Sequence, residues 1–276
     1  MNTPEAIAVV ELNSGSHALD YHWENLMTYG KQGNLQAVFD EYAYLLASGR
    51  DRDQDLVTLL HTQMVDFLNI HTVSYTVDTF KRFKQRILHN KDIHDEDSKQ
   101  VKLRTHFAVA FTQDDTKESD TQRKKNIRNA FNTPFRPFVL ATTSIGQEGL
   151  DFHNYCRKIV HWNLPHNPID LEQREGRINR FQCLAIRQNV AKRYGAITFN
   201  EDIWQEMFAK ASQKEKLPGS SDLIPYWGLR ATEDMVKIER IVPMYPYSKD
   251  IWDYERLIKI LSMYRTPLAK HAKKNS

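Results

Sequence analysis

The spacing of apolar residues along the chain changes near residue 70, from a helical period to short continuous runs. Residues 34–46 and 55–68 carry apolar side chains three and four positions apart, which is typical of helices with one buried side. The Gly-Arg-Asp sequence at 49–51 separates the two patterns. We therefore predict a helical extension over residues 1–70.

Beyond this point, short runs rich in β-branched and aromatic residues predict strands. They lie at residues 72–77, 105–111, 138–143, 158–162 and 194–199. A helix is predicted over 120–132, with Ile127 and Phe131 on its buried side. Strands that alternate with helices in this way imply parallel crossovers, so the expected fold of residues 71–200 is an α/β lobe built on a parallel sheet.

The chain after residue 200 is predicted to be a mostly helical extension, 201–276. Apolar positions at helical spacing mark one helix over 203–214 and another over 251–264. A turn packed by aromatic side chains is expected at 225–228, where proline, tyrosine, tryptophan and glycine follow one another.

The clearest boundary in the chain is the start of a helix at Asn167. Asparagine is a favoured N-cap, Pro168 fits the first helical position, and Asp170 lies in the positive first turn. We predict that the apolar side of this helix carries Leu171, Ile178 and Phe181.

The opposite side of the same helix is polar. Steps of four and three residues place Gln173, Arg177 and Arg180 together, with Gly176 beside them leaving room for close approach. Guanidinium is a planar, permanently charged fork that suits phosphate oxygens. An isolated Arg-x-x-Arg is more often a solvated helix surface, so the pair alone does not establish a phosphate site.

The residues before this helix change that balance. Thr-Thr-Ser-x-Gly-x-Glu-Gly-x-Asp at 142–151, followed by Gln-x-x-Gly-Arg-x-x-Arg at 173–180, resembles motifs V and VI of superfamily 2 helicases and translocases. The intervening Trp-Asn-Leu-Pro-His-Asn-Pro at 162–168 is most similar to the remodeller-type branch and its bacterial relatives, some of which accompany phage-defence genes. The resemblance implies a C-terminal, RecA-like lobe and covers residues 105–199.

The resemblance also assigns roles near the nucleotide. Arg177 and Arg180 match the paired arginines that reach across a cleft to the γ-phosphate of ATP. Gln173 and Gly176 match the same motif, and one residue between the arginines, Asn179, departs from the histidine common there. In the preceding loop, Gly149 and Asp151 match positions that touch the nucleotide or couple its state to nucleic acid.

Further positions are implied to contact nucleic acid. Thr143 and Ser144 match residues that bind its backbone, and phosphate contacts of this kind carry no base sequence. Arg123 lies on the basic helix that is similar to the one preceding the motif V strand. The remodeller-type likeness favours double-stranded DNA as the partner.

One half of an ATP site is missing from this sequence. No Gly-Lys-Thr or Gly-Lys-Ser occurs, and the nearest string, Gly-Lys-Gln at 30–32, lacks the hydroxyl that would hold Mg²⁺. The Asp-Glu pair at 40–41 lies inside an amphipathic helix pattern and not at the end of a strand. We therefore expect ATP with Mg²⁺ to be bound mainly by a first lobe, in cis or in trans, and no ATP turnover by this chain alone.

Composition limits the alternatives. The net charge is +3 with a pI near 8.7, which permits nucleic-acid binding without demanding it. Two cysteines without metal-type spacing and no apolar run of membrane length favour a reduced, cytoplasmic protein. The acidic stretch at 94–97 reads as a solvated turn, and no metal site is predicted. A non-catalytic nucleic-acid or protein docking module, derived from a helicase lobe, stays open as the second hypothesis.

Overall fold

The computed structural model describes residues 4–15, 19–48, 55–68, 73–77, 101–105, 131–134, 139–142 and 151–274. Within these ranges the chain forms eight helices and four short strands. None of these helices is both long enough and apolar enough to cross a bilayer.

Four helices precede the first strand. They are α1 (Pro4–Ser14), α2 (His22–Lys31), α3 (Asn34–Ala47) and α4 (Leu56–Leu68). The helices predicted at 34–46 and 55–68 are confirmed, with boundaries within about one residue of those expected. Consecutive helices in this set pack against one another, α1 on α2, α2 on α3 and α3 on α4.

Two separate two-stranded sheets are present in the described part of the chain. Strand β1 (Val73–Val77) pairs antiparallel with β2 (Val101–Thr105), with Val73 opposite Thr105. Strand β3 (Lys158–Val160) pairs in parallel with β4 (Glu239–Ile241), and His161 extends that ladder by donating its N–H to the carbonyl of Ile241 at 2.9 Å. The parallel β3–β4 pair agrees with the expected α/β class, whereas the antiparallel β1–β2 pair differs from the parallel pairing that was expected.

Two strand predictions are wrong where the structure describes them. Residues 139–142 form no strand, and Val139 is 83% exposed. At 194–199, Tyr194 is the last residue of a helix and the rest is irregular. Ile197 packs against the helical core and not in a sheet, and β4 supplies the neighbour of β3. Most of the predicted strand at 105–111 and helix at 120–132 lies outside the described residues.

The carboxyl-terminal part is mainly helical. Its helices are α5 (Pro168–Glu175), α6 (Leu184–Tyr194), α7 (Ile203–Glu215) and α8 (Asp250–Lys274). The helices predicted at 203–214 and 251–264 are confirmed, whereas α6 was not predicted. The start of α7 is fixed by Asp202, whose carboxylate accepts the N–H groups of Trp204 and Gln205.

The larger hydrophobic core lies between α6 and α7. It is formed by Cys183, Ala185, Ile186, Val190, Trp204, Met207, Phe208 and Ala211. Tyr44 of α3 packs on this core, with its ring centroid 6.2 Å from Trp204 and 6.1 Å from Phe208. An amino-terminal helix and a carboxyl-terminal helix thus share one core with the segment that follows the paired arginines.

A buried ion pair strengthens the same junction. The side chain of Arg187 on α6 is fully buried, and its Nε lies 2.7 Å from Glu41 Oε1 on α3. The remaining guanidinium nitrogens donate to the carbonyls of Gln182 and Asn154. Because every side of this buried cation is satisfied, the pair holds α3 in one position on the lobe.

Candidate functional site

The helix that leads into the candidate arginines begins where the sequence predicts. Asn167 Oδ1 accepts the N–H of Ile169 at 3.0 Å, and Pro168 occupies the first helical position. Helix α5 ends at Glu175, earlier than the predicted pattern, and only residues 176–178 continue as hydrogen-bonded turns. Leu171 and Ile178 are buried as expected.

The prediction for Phe181 is wrong. Its side chain is exposed and stacks on Tyr226, with centroids 5.3 Å apart and rings 21° from parallel. The physical reason is the early end of α5, because a residue six positions beyond Glu175 no longer follows the helical period.

The predicted polar face exists as one surface feature. Gln173, Gly176, Arg177 and Arg180 line a shared open depression of about 470 Å³. Asn179 and Trp227 complete its lining. The structure therefore brings together all four candidate residues of the arginine motif.

The two arginines differ in what holds them. Arg180 is fixed twice, by Asp151 Oδ1 at 2.8 Å from its Nη2 and by the carbonyl of Gly176 at 3.0 Å from its Nε. The side chain of Arg177 makes no hydrogen bond or ion pair with any residue that the structure describes. One guanidinium is thus oriented in advance, and the other is available to an incoming anion.

Backbone hydrogen bonds join the segment after the glycine loop to the arginine segment. Phe152 donates its N–H to the carbonyl of Arg177 at 2.9 Å, and Leu184 donates to the carbonyl of His153 at 2.9 Å. The Phe152 ring packs edge-on against Phe131, and Ile178 completes this small core. Asp151 and Phe152 therefore contact the two arginines directly, one at the Arg180 side chain and the other at the Arg177 carbonyl.

The remaining candidates of the glycine loop and the basic helix cannot be placed. Gly149, Thr143, Ser144 and Arg123 lie outside the described residues. The described residues contain no group of three or more histidine, cysteine, aspartate or glutamate side chains that could hold a metal ion.

A charged network surrounds Glu175, the last residue of α5 before the arginine segment. Both nitrogens of one edge of the Arg240 guanidinium donate to Glu175, with Nη2 at 2.6 Å from Oε2, and Nη1 donates to the Tyr254 hydroxyl at 3.2 Å. Buried His161 lies 3.5 Å from the same carboxylate. Burial would raise the pKa of Glu175, but the nearby His161 and the hydrogen bonds and charge of Arg240 lower it to about 2.

Two features of the site escaped sequence reasoning. Trp227 lines the depression although it is 47 residues beyond Arg180 in the sequence. Gln182, which directly follows the arginine segment, adopts a left-handed backbone with φ of 50°. The turn predicted at 225–228 is confirmed, and its adjacent aromatic residues were the one available signal for Trp227.

Comparison with known proteins gives one match. Residues 82–182 match the family model described as helicase conserved C-terminal domain, a range that includes both arginines and the glycine loop. A search of curated proteins and a search of solved structures each found no match. The match supports the C-terminal lobe of a superfamily 2 helicase for this segment.

Proposed function

We propose that this chain is the C-terminal lobe of an ATP-dependent nucleic-acid helicase or translocase, in which Arg177 and Arg180 contact the γ-phosphate of ATP. The observation that carries the proposal is the shared depression, which Arg177 lines without a side-chain partner among the described residues. Arg177 and Arg180 also lie inside residues 82–182, the segment that matches the helicase C-terminal domain, and this supports the same role for them.

Phosphoryl transfer needs little from the protein beyond position and charge. Negative charge spreads over the oxygens of the transferred group in the transition state, and correctly placed guanidinium groups stabilise it. The ion pair from Asp151 and the bond to the Gly176 carbonyl limit the conformations of Arg180, so less ordering remains when the phosphate arrives. Arg177 supplies the charge that no described group neutralises.

The same contacts suggest how nucleic acid influences the nucleotide. Asp151 directly follows residues 143–150 in the sequence, and Thr143, Ser144 and Arg123 are proposed to bind the nucleic-acid backbone. Because Asp151 pairs with Arg180 and Phe152 bonds the carbonyl of Arg177, nucleic acid bound at this part of the chain would act on both arginines. We propose double-stranded DNA as the polymer, since phosphate contacts need no base sequence.

A first lobe supplies the other half of the site in this proposal. It binds ATP with Mg²⁺ through a glycine-lysine loop and an Asp-Glu box, on a longer polypeptide or as a separate chain. Residues 71–200 are the lobe itself, and residues 1–70 and 201–276 are extensions that pack on it.

Mixing this chain with a first lobe tests whether each supplies one half of the ATP site. The chain alone should release no phosphate from ATP, with or without duplex DNA, because nothing in its sequence cradles the β- and γ-phosphates. Addition of a first lobe with an intact glycine-lysine loop should produce DNA-stimulated hydrolysis, measured as released phosphate. The first lobe alone, and a first lobe with its loop lysine changed to alanine, are the controls.

Two results would contradict the proposal. Turnover by the isolated chain would show that the site is complete without a first lobe. A stable complex of both lobes that binds DNA but never hydrolyses ATP would favour the docking-module hypothesis instead.

A further inference from the structure

An exposed tryptophan stands at the edge of the arginine depression. Trp227 is 44% exposed and lines the same depression as Arg177 and Arg180. Its ring pairs with no other aromatic ring in the described part of the chain. A partly exposed indole that lines the same depression as two guanidinium groups is a candidate for ligand contact.

The backbone beneath this indole is firmly held. Tyr226 lies between Phe181 and Phe208, at centroid distances of 5.3 and 5.5 Å, and its carbonyl accepts the N–H of Gln182 at 2.8 Å. Trp227 donates its own N–H to the carbonyl of Leu223 at 2.8 Å. The indole is therefore presented from a fixed base close to the end of the arginine segment.

The two kinds of side chain in the depression recognise different parts of one molecule. Flat aromatic rings stack on nucleobases, and guanidinium groups bind phosphate oxygens. The depression, about 470 Å³, falls within the usual range for small-molecule sites of roughly 300–1,000 Å³. A nucleoside triphosphate carries a base and a phosphate chain, so it can use both.

We propose that Trp227 is the base-stacking residue of the nucleotide site, with the purine ring against its exposed indole face and the phosphates toward Arg177. This inference rests on the proposed function of the arginines and names the residue that holds the other end of the ligand. Every base has a π-face, so the contact adds affinity but little preference for adenine over guanine.

A single nucleotide fits better than a nucleic-acid strand. Strand-binding surfaces present successive aromatic side chains along a basic groove. In the described lining of this depression there is one aromatic side chain, and of its two guanidinium groups one is already paired with Asp151. The arrangement matches one base and one phosphate chain.

The test compares ATP with inorganic tripolyphosphate, which lacks the base. Dissociation constants for the full chain are measured by ligand NMR, from broadening of the ATP base protons and of the phosphorus signals. Trp227→Ala should weaken ATP binding roughly 5- to 150-fold, as loss of one stacked base predicts, and leave tripolyphosphate binding unchanged. Trp227→Phe keeps a ring and should recover most of the ATP affinity.

Two further variants separate this inference from the proposed function. Trp252→Ala, at a 78% exposed tryptophan on α8, is the matched control and should bind both ligands like the original chain. Arg177→Ala should weaken both ligands. If Trp227→Ala changes neither while Arg177→Ala weakens both, the base-stacking role is wrong and the arginine role stands.

The opposite pattern is equally informative. If Trp227→Ala weakens ATP and Arg177→Ala changes neither ligand, the stacking contact is real and the phosphate role of Arg177 is wrong. The inference is overturned if the original chain binds ATP no more tightly than tripolyphosphate. It is also overturned if Trp227→Ala weakens a single-stranded oligonucleotide and leaves ATP unchanged.

Discussion

Gln182 fixes the direction in which the chain leaves the arginine segment. Its φ of 50° lies in the left-handed region, which is uncommon for a residue with a side chain. Three contacts impose it: its N–H donates to Tyr226, its carbonyl accepts from Arg187 Nη1 at 2.8 Å, and its amide donates to the Tyr44 hydroxyl at 2.7 Å. Uncommon backbone conformations that several contacts hold in place are often found at functional sites.

Substitution of Gln182 by glycine and by alanine gives a matched pair. Both variants lose the hydrogen bond to Tyr44, but only alanine retains the Cβ that opposes positive φ. We therefore expect Gln182→Gly to be more stable than Gln182→Ala by about 1 kcal/mol in urea unfolding. Equal stabilities, or a more stable alanine variant, would mean that the surrounding contacts do not impose the left-handed backbone.

Individual residues also show what the sequence could and could not predict. Asn167, Pro168 and Asp170 act within one turn, so the start of α5 follows from local chemistry and is confirmed. Trp227 and Arg180 line one depression only through tertiary packing, and no local pattern encodes that arrangement. For the same reason, the partnership of Glu41 with Arg187 could not be predicted from either residue.

At the scale of helices and strands, two carboxylates, a partly buried one at Glu175 and a buried one at Glu215, join elements that are distant in sequence. Glu175 links the end of α5 to Arg240 of β4. Glu215, at the end of α7, accepts from Tyr194 of α6 at 2.6 Å and from Arg193 at 3.0 Å. Each junction depends on a carboxylate that stays ionised.

Acid should weaken the α6–α7 junction. Burial would raise the pKa of Glu215, but hydrogen bonds from Tyr194, Arg230 and Arg193 outweigh it and lower the pKa to about 2. Because the pKa of Glu215 in the folded chain lies below its ordinary value of 4.5, this contribution to stability is complete above about pH 4.5 and is lost as the pH falls toward 2.

Replacing the carboxylate should remove part of this pH dependence. We expect Glu215→Gln to lower the free energy of unfolding at neutral pH by about 1–3 kcal/mol, because the buried donors lose their charged acceptor. Between pH 4.5 and 2 its stability should fall less steeply than that of the original chain, measured by urea unfolding at several pH values. Glu201→Gln, at an exposed position, is the control, and an unchanged slope in Glu215→Gln would contradict the assignment.

Two strand predictions were wrong because a strand needs another strand to pair with. Short runs of β-branched and aromatic residues, such as 138–143 and 194–199, become strands only if a neighbouring strand is available. The strand propensity of the residues does not tell whether such a neighbour exists. Residues 196–199 follow α6 directly, and Ile197 joins the α6–α7 core. The strand that does pair with β3 is only three residues long, Glu239–Ile241, too short for a clear period.

For the whole molecule, elements from both ends of the chain pack on the two sides of the arginine segment. The α3 helix contacts the residues after it, through Tyr44 with Gln182 and Glu41 with Arg187, and the carboxyl-terminal part contacts α5 before it through Arg240 and through Arg265, whose Nη2 lies 2.9 Å from Glu172 Oε1. The match to the helicase C-terminal domain ends at residue 182, so these supports come largely from outside it. In our proposal, the extensions hold the arginines in position for a site that a first lobe completes.

The most direct test of this account is the turnover of the reconstituted two-lobe motor with single arginine variants. Arg177→Ala and Arg180→Ala should each lower the rate constant of DNA-stimulated ATP hydrolysis by a factor on the order of 10³, because a transition-state charge is lost. Arg174→Ala, three residues before Arg177 on α5, is the matched control, since the Arg174 side chain hydrogen-bonds only the Asn163 carbonyl among the described residues and should leave turnover near normal. Full turnover by both Arg177→Ala and Arg180→Ala would contradict the central claim.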